Sequence, residues 1–154
     1  MLTMGGHMAG GNALEVGCGK GTGTEIILEL FKAEHVDAFE LDNVLVKKAS
    51  RRLAKYGDRV KVNQGDVTAM TAVDASYEAV FDFAIIHHVP DWEKALKEVY
   101  RVLKPGGRFY AEEVFDELIF HPLFSRIFEH PQENRFNHKQ FILGLENAGF
   151  KIVD

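Results

Sequence analysis

A chain of 154 residues, 46% of them apolar and 27% charged, has the length and balance for one domain with a sizeable core. Its net charge of −5 includes no basic block beyond Lys47-Lys48 with Arg51-Arg52, which reads as a solvated helix face, so the composition argues against a nucleic-acid partner. The single cysteine excludes an internal disulfide, no apolar run is long enough to span a bilayer, and Met1–Met8 lacks the basic start and apolar centre of a signal peptide; a cytoplasmic setting is expected.

Ala13–Gly17 is apolar except for Glu15 and reads as a strand. Glycines then stand at every second position, Gly17, Gly19, Gly21 and Gly23, with Cys18 and Lys20 between them. Glycine at alternate positions lets a backbone turn tightly and leaves no Cβ in the way of something lying against it. A helix is expected over Thr24–Phe31. A strand, a glycine turn and a helix in that order form the nucleotide-binding crevice of an open parallel sheet. Strands are expected over Val36–Leu41 and Val60–Gln64, with a helix over Asn43–Tyr56 between them and Asp42 as its N-cap. Glu78–Asp82 is the fourth strand. His87-His88 then open a helical stretch whose main part, Trp92–Leu103, carries Leu96, Val99, Tyr100 and Leu103 at intervals of three and four. Lys104-Pro105-Gly106-Gly107 stops that helix and turns into a strand over Gly107–Val114. A helix over His138–Ala148 and a strand over Phe150–Val153 complete the chain. The alternation predicts an α/β fold, a three-layer αβα sandwich with a mostly parallel central sheet, over residues 13–154.

One stretch breaks this rhythm. Residues 115–137 carry Phe115, Phe120, Phe124, Phe128 and Phe136 with two prolines, an insertion too apolar for a solvent loop. It either packs on the sheet edge or roofs a pocket.

The spacing Glu15-x-Gly17-x-Gly19-x-Gly21 resembles motif I of the class I S-adenosylmethionine-dependent methyltransferases, in particular the type 11/25 small-molecule branch. Five more segments come after it in the family's order. Val36–Asp42 looks like its second strand, ending in the acid that binds the ribose hydroxyls. Gly65-Asp66-Val67 resembles the turn whose Asp receives the adenine amino group. Ser76–Phe83 with His87-His88-Val89-Pro90-Asp91-Trp92 resembles the fourth strand and the start of its helix, although Tyr77-Glu78 stands where Phe-Asp is usual. Arg101–Arg108 is close to the string that precedes strand five, and Ala148-Gly149-Phe150 matches the entry to strand six.

The resemblance implies a Rossmann-like fold, S-adenosyl-L-methionine as cofactor, S-adenosylhomocysteine as product, and a small-molecule O, N or C acceptor. It also implies a cofactor site built from Glu15, Gly17, Cys18, Gly19, Gly21, Glu40, Leu41, Gly65, Asp66, Val67, Asp82 and Phe83. Cys18 enters through its backbone and not as a nucleophile. His87, His88, Glu112 and Glu113 are the candidate bases for an acceptor that must lose a proton. Adjacent helical residues point about 100° apart and strand residues alternate, so at most one member of each pair is expected to face the crevice. His121, His130 and His138 show no metal-ligand spacing, and no metal is expected. Residues 1–12 are expected to be a tag or the remnant of a lid, and the family's last strand is expected to be missing. An uncovered sheet edge invites pairing, so a homodimer is a further expectation. Two other readings stay open: a non-catalytic domain that binds S-adenosylmethionine or a partner, and a nicotinamide oxidoreductase, which the glycine spacing disfavours.

Overall fold

The computed structural model describes residue 8, residues 10–113 and residues 136–153. In chain order these hold β1 (Asn12–Val16), α1 (Thr22–Glu29), β2 (His35–Glu40), α2 (Asn43–Leu53), β3 (Val60–Gln64), β4 (Tyr77–Phe83), α3 (Trp92–Val102), β5 (Leu103–Glu112) and α4 (His138–Ala148). The strands form one five-stranded sheet in the order β3-β2-β1-β4-β5, with every neighbouring pair parallel. No described helix is long and apolar enough to cross a membrane.

Strand alternation sorts the core onto two faces. Ala13, Val36, Ala79, Phe81 and Tyr110 meet Ile27, Leu28 and Phe31 of the α1 region on one face, and Ala38 meets Ala49 and Leu53 of α2 on the same side. On the other face Leu14, Val16, Phe39 and Val80 pack on Val99 and Val102 of α3. Trp92 and Leu96 of α3 then meet Phe141 and Leu145 of α4. These layers make the predicted αβα sandwich.

The helix starts obey local chemistry. Asp42 caps α2 by accepting from the Val44 amide at 2.6 Å, and Asp91 accepts from the Lys94 amide ahead of α3. Asn137 and Gln140 exchange side-chain and backbone bonds in a capping box at α4. Arg101, at the end of α3, reaches back to the Met70 and Ala72 carbonyls and to Asp74, holding the approach to β4 against the helix.

Four sequence expectations need correction. Helix α1 starts at Thr22 and takes in Gly23, because Gly21 at φ +85° serves as its N-cap. The expected helix over Asn43–Tyr56 ends at Leu53 and tightens into a 3₁₀ stretch that Gly57 interrupts at φ +56°. Lys104–Gly107 does not precede β5 but loops out of it: Leu103 pairs with Tyr77, and pairing resumes with Arg108 opposite Ala79. The expected strand over Phe150–Val153 is absent. Helix α4 closes on Gly149 at φ +109°, and the Phe150 amide bonds back to the Leu145 carbonyl. The Phe150 ring then lies against Phe109 and Tyr100, while Ile152 and Val153 stay exposed. The apolar pattern read as a strand is thus a helix stop with an aromatic anchor. Of the aromatic insertion only Phe136 and Asn137 are described, and Phe136 is buried against Trp92 and Phe141. The rest of it, like residues 1–7 and 9, lies outside the described residues.

Leu96 is fully buried at the α3–α4 contact, where Gly144 leaves no room for a Cβ beside Trp92 and Leu96. Leu96→Ala removes that filling and should lower stability by ~2–5 kcal/mol. Urea unfolding tracked by circular dichroism checks this; a loss of only a few tenths would mean the two helices are not packed as described.

Candidate active site

The chain leaves β1 through a bend with three glycines of positive φ: Gly17 at +65°, Gly19 at +55° and Gly21 at +85°. The three have different surroundings. A Cβ on Gly17 would lie 2.5 Å from the Ile85 side chain, and one on Gly21 would lie 2.8 Å from Leu53. A Cβ on Gly19 would meet nothing within 4 Å. Gly17 and Gly21 therefore serve packing, whereas Gly19 presents bare backbone to open space. Cys18 faces the other way, buried beside Ala38, Ala49 and Leu53, with its amide on the Phe39 carbonyl at 2.9 Å. Burial, then the Glu15 and Glu40 carboxyls, push its thiol up to about 12. Such a thiol is a poor nucleophile.

Glu40, at the carboxyl end of β2, turns towards the bend. Its Oε2 accepts from the Gly19 amide at 2.8 Å and its Oε1 from the Asp42 amide at 3.0 Å. A carboxylate has about four acceptor positions, so two backbone bonds do not exhaust it. Next to it Leu41 is 67% exposed. Gly65 comes directly after β3 with its amide on the Glu40 carbonyl, and a Cβ there would strike the Phe39 ring at 2.7 Å. Asp66 is exposed and caps the short turn Val67–Ala69 through the Thr68 amide at 2.8 Å. These groups all lie at the carboxyl ends of β1, β2 and β3, where ligands of open parallel sheets sit.

Glu15 lies beneath the start of α1. It is 2% exposed, accepts from the Thr24 hydroxyl, and its carboxyl occupies the space that a Cβ on Gly23 would need. Its pKa is pushed up to about 7 by burial, against the Thr24 bond and with help from Glu40. Phe83 closes the same corner, its ring stacked 6.1 Å from Phe81 and close to Gly23.

Beyond β4 the four candidate bases occupy different settings. His87 and His88 do not open a helix; they stand in a short 3₁₀ turn, Ile86–His88, ahead of α3, reached through Ala84 at φ +60°. His87 points inward and places Nδ1 2.6 Å from Glu113 Oε2, with side chains 7% and 1% exposed. His88 is exposed, its ring 4.1 Å from that of His87. Glu112 is exposed as well, and its backbone carbonyl accepts from the Ala84 amide. Asp82 is completely buried and accepts from the Ile85 amide at 2.9 Å. Thr24 and Ile85 did not stand out in the sequence. A threonine after a glycine loop and an isoleucine after a strand are common, and only the fold brings them to Glu15 and Gly17. A separate cavity of about 990 Å³ runs along β5 and α4, lined by Phe109, Phe141, Leu145 and Phe150 among others. It lies two strands from the bend and is not the crevice described here.

The raised Glu15 carboxyl has a measurable consequence. It keeps its proton up to about 7 in the fold but releases it near 4.5 when unfolded, so its contribution is fully present below pH ~4.5 and is lost as pH rises through about 7. The difference corresponds to ~3 kcal/mol. Glu15→Gln keeps an acceptor for Thr24 and has no such proton to lose. The variant and the parent chain should match at pH ~4 and diverge by up to ~3 kcal/mol in favour of the variant at pH ~8. Parallel stability curves in denaturant titrations across that range would contradict the assignment.

A family model described as "Methyltransferase domain" matches residues 13–107. A probable S-adenosylmethionine-dependent methyltransferase of Mycolicibacterium smegmatis is 30% identical over 146 residues, 95% of this chain and 54% of that protein. The sterol 24-C-methyltransferase ERG6B of Gibberella zeae is 36% identical over 106 residues, 68% of this chain and 28% of that protein. Among solved structures, the Haemonchus contortus phosphoethanolamine N-methyltransferase 2 in complex with S-adenosyl-L-methionine superposes with a TM-score of 0.77 at 24% identity, over 97% of this chain and 35% of that one. The chain thus spans about half the length, or less, of these relatives. The match over β1 to β5, together with the glycine bend and the acid at the end of β2, places the chain in the class I S-adenosylmethionine-dependent methyltransferase family.

Proposed function

We propose that this domain binds S-adenosylmethionine across the Gly17–Gly21 bend and directs its methyl group to a small-molecule acceptor. The observation that carries the reading is Gly19: left-handed backbone with open space where a Cβ would stand, and an amide held by Glu40. A side chain there would fill the cradle that a ligand needs. The acceptor class rests on the relatives, two of which are named for sterol and phosphoethanolamine methylation.

In this reading Glu40 takes the ribose hydroxyls with the acceptor positions its two backbone bonds leave. Leu41 and Val67 flank the adenine and Asp66 receives its amino group. Glu15, Gly17, Cys18, Gly19 and Gly21 support the methionine end, with Gly65 setting the Asp66 turn and Asp82 and Phe83 forming the far wall. When bound, the cofactor supplies a methyl carbon already activated by a sulfonium, so the protein need not create an electrophile. Its contribution is alignment, which can supply ~7–11 kcal/mol when reacting atoms are held in line, and exclusion of water from the reacting atoms.

Isothermal titration with S-adenosylhomocysteine tests this, with NAD as the competing ligand. The parent chain should bind the first and not the second. Gly19→Ala costs ~1–2 kcal/mol for its left-handed backbone and meets no neighbour, so the chain should fold and yet lose tenfold or more in S-adenosylhomocysteine affinity. Glu40→Ala should lose ~10- to 100-fold, as expected for charged hydrogen bonds of ~1.5–3 kcal/mol. No heat with S-adenosylhomocysteine, or full affinity in Gly19→Ala, would overturn the reading.

A further inference from the structure

The acids around the glycine bend lack a counter-charge. Glu15 is 2% exposed, and among the described residues its hydrogen-bond donor is the Thr24 hydroxyl. Its Oε1 lies where a Cβ on Gly23 would stand, in the first turn of α1. Glu40, from β2, holds the Gly19 amide of the same bend and is close enough to act on both Glu15 and the buried Cys18 thiol. Lys20, within the bend, is exposed and forms no ion pair among the described residues. The acids on the elements packed around Glu15 are engaged elsewhere: Glu25 of α1 with Arg52 and Lys55, Asp37 of β2 with the Tyr77 hydroxyl, and Asp82 of β4 with the Ile85 amide. No described cation pairs with Glu15.

A carboxyl shut away from water, with a hydroxyl donor and a second carboxyl nearby, has two routes to a tolerable charge. It can hold a proton, or it can ionise against a cation that arrives from outside. In the free chain burial favours the proton most; the Thr24 bond works against this and Glu40 adds to it, which brings Glu15 to about 7. The ligand of the proposed site brings a cation, because S-adenosylmethionine and S-adenosylhomocysteine both carry an ammonium at the methionine end. A field acts through space, so ionising Glu15 needs no direct contact with that ammonium. The Thr24 hydroxyl serves both states, since it can donate to a carboxylate or to the carbonyl oxygen of the acid.

We propose that Glu15 exchanges its proton for the charge of the cofactor: the free domain holds the carboxyl neutral, and binding of the ammonium end ionises it and expels that proton to solvent. The inference rests on the S-adenosylmethionine reading and adds a proton-linked control of the same site. Below the point where free Glu15 titrates, proton and ligand compete; above it the competition is gone. Affinity therefore rises with pH up to about 7 and levels off beyond.

Isothermal titration of the full chain with S-adenosylhomocysteine, repeated in buffers of different ionisation enthalpy, counts the protons released. At pH ~6 the parent chain should release about one, and its affinity should rise roughly 20-fold from pH ~5.5 to pH ~7.5. Glu15→Gln has no such proton to give; it should bind without the release and with a level affinity over that range. Carboxyl ¹³C spectra of the glutamate-labelled parent chain should show a buried carboxyl leaving the acid form when the ligand is added, which needs no variant to fold. Binding with no proton released, a release that persists in Glu15→Gln, or the absence of any acid-form carboxyl in the free chain at pH ~6 overturns the proposal, while the cofactor reading survives. No binding at any pH defeats the cofactor reading, and the proton exchange with it.

Discussion

The hydrogen bond from the Gly19 amide to the Glu40 carboxylate ties the end of β1 to the end of β2, and the candidate site is organised around it. A charged acceptor on a backbone amide contributes ~1.5–3 kcal/mol, enough to select one conformation of a bend that three glycines leave free to choose among many. The bond requires the parallel register that sets Val16 beside Phe39 and so brings Glu40 level with the bend. It also brings two acids close together. Glu15 sits near enough for Glu40 to raise its pKa, and below about pH 7 the buried member of the pair holds its proton, which lowers the repulsion beneath the crevice. One acid is kept near neutrality under the helix start while the other holds the backbone of the bend.

A second acid pair repeats this division on the opposite face of the sheet. Asp82 retains a proton in the dry interior and Glu113 remains ionised against a histidine. Desolvation and a like charge nearby disfavour ionising both members, and the member with better donors keeps the charge. The first pair joins β1 to β2, and the second joins β4 to the end of β5.

The features legible in the sequence were local or patterned. Asp42 could be read as a cap because a cap bonds within three residues, and the α3 stripe because Leu96 and Val99 repeat at helical spacing. The sheet could be inferred from alternating strands and helices, and Glu40 from its place at a strand end. The losses came where distant partners decide. Nothing near His87 announces Glu113, 26 positions away. Ile85 is an ordinary apolar residue until the fold presses it on Gly17. Phe150–Val153 has strand composition, but a left-handed glycine and a ring pocket on Phe109 and Tyr100 settle the backbone otherwise. The helix end before Gly57 was overrun because the amphipathic pattern of α2 continues past the point where the backbone turns.

The excursion of Lys104–Gly107 out of β5 bears on how this part of the chain tolerates changes in length. Pairing with β4 restarts at Arg108 opposite Ala79 and runs without interruption to Glu112 opposite Phe83, so the register of everything beyond depends on where it restarts and not on how long the detour is. A residue added or removed at Pro105 or Gly106 can be absorbed in the loop. The same change between Phe109 and Glu112 would exchange the two faces of the strand, carrying Glu113 away from Asp82 and turning Tyr110 out of the ring cluster with Phe31 and Phe81. Length drift is thus harmless on one side of Arg108 and ruinous on the other.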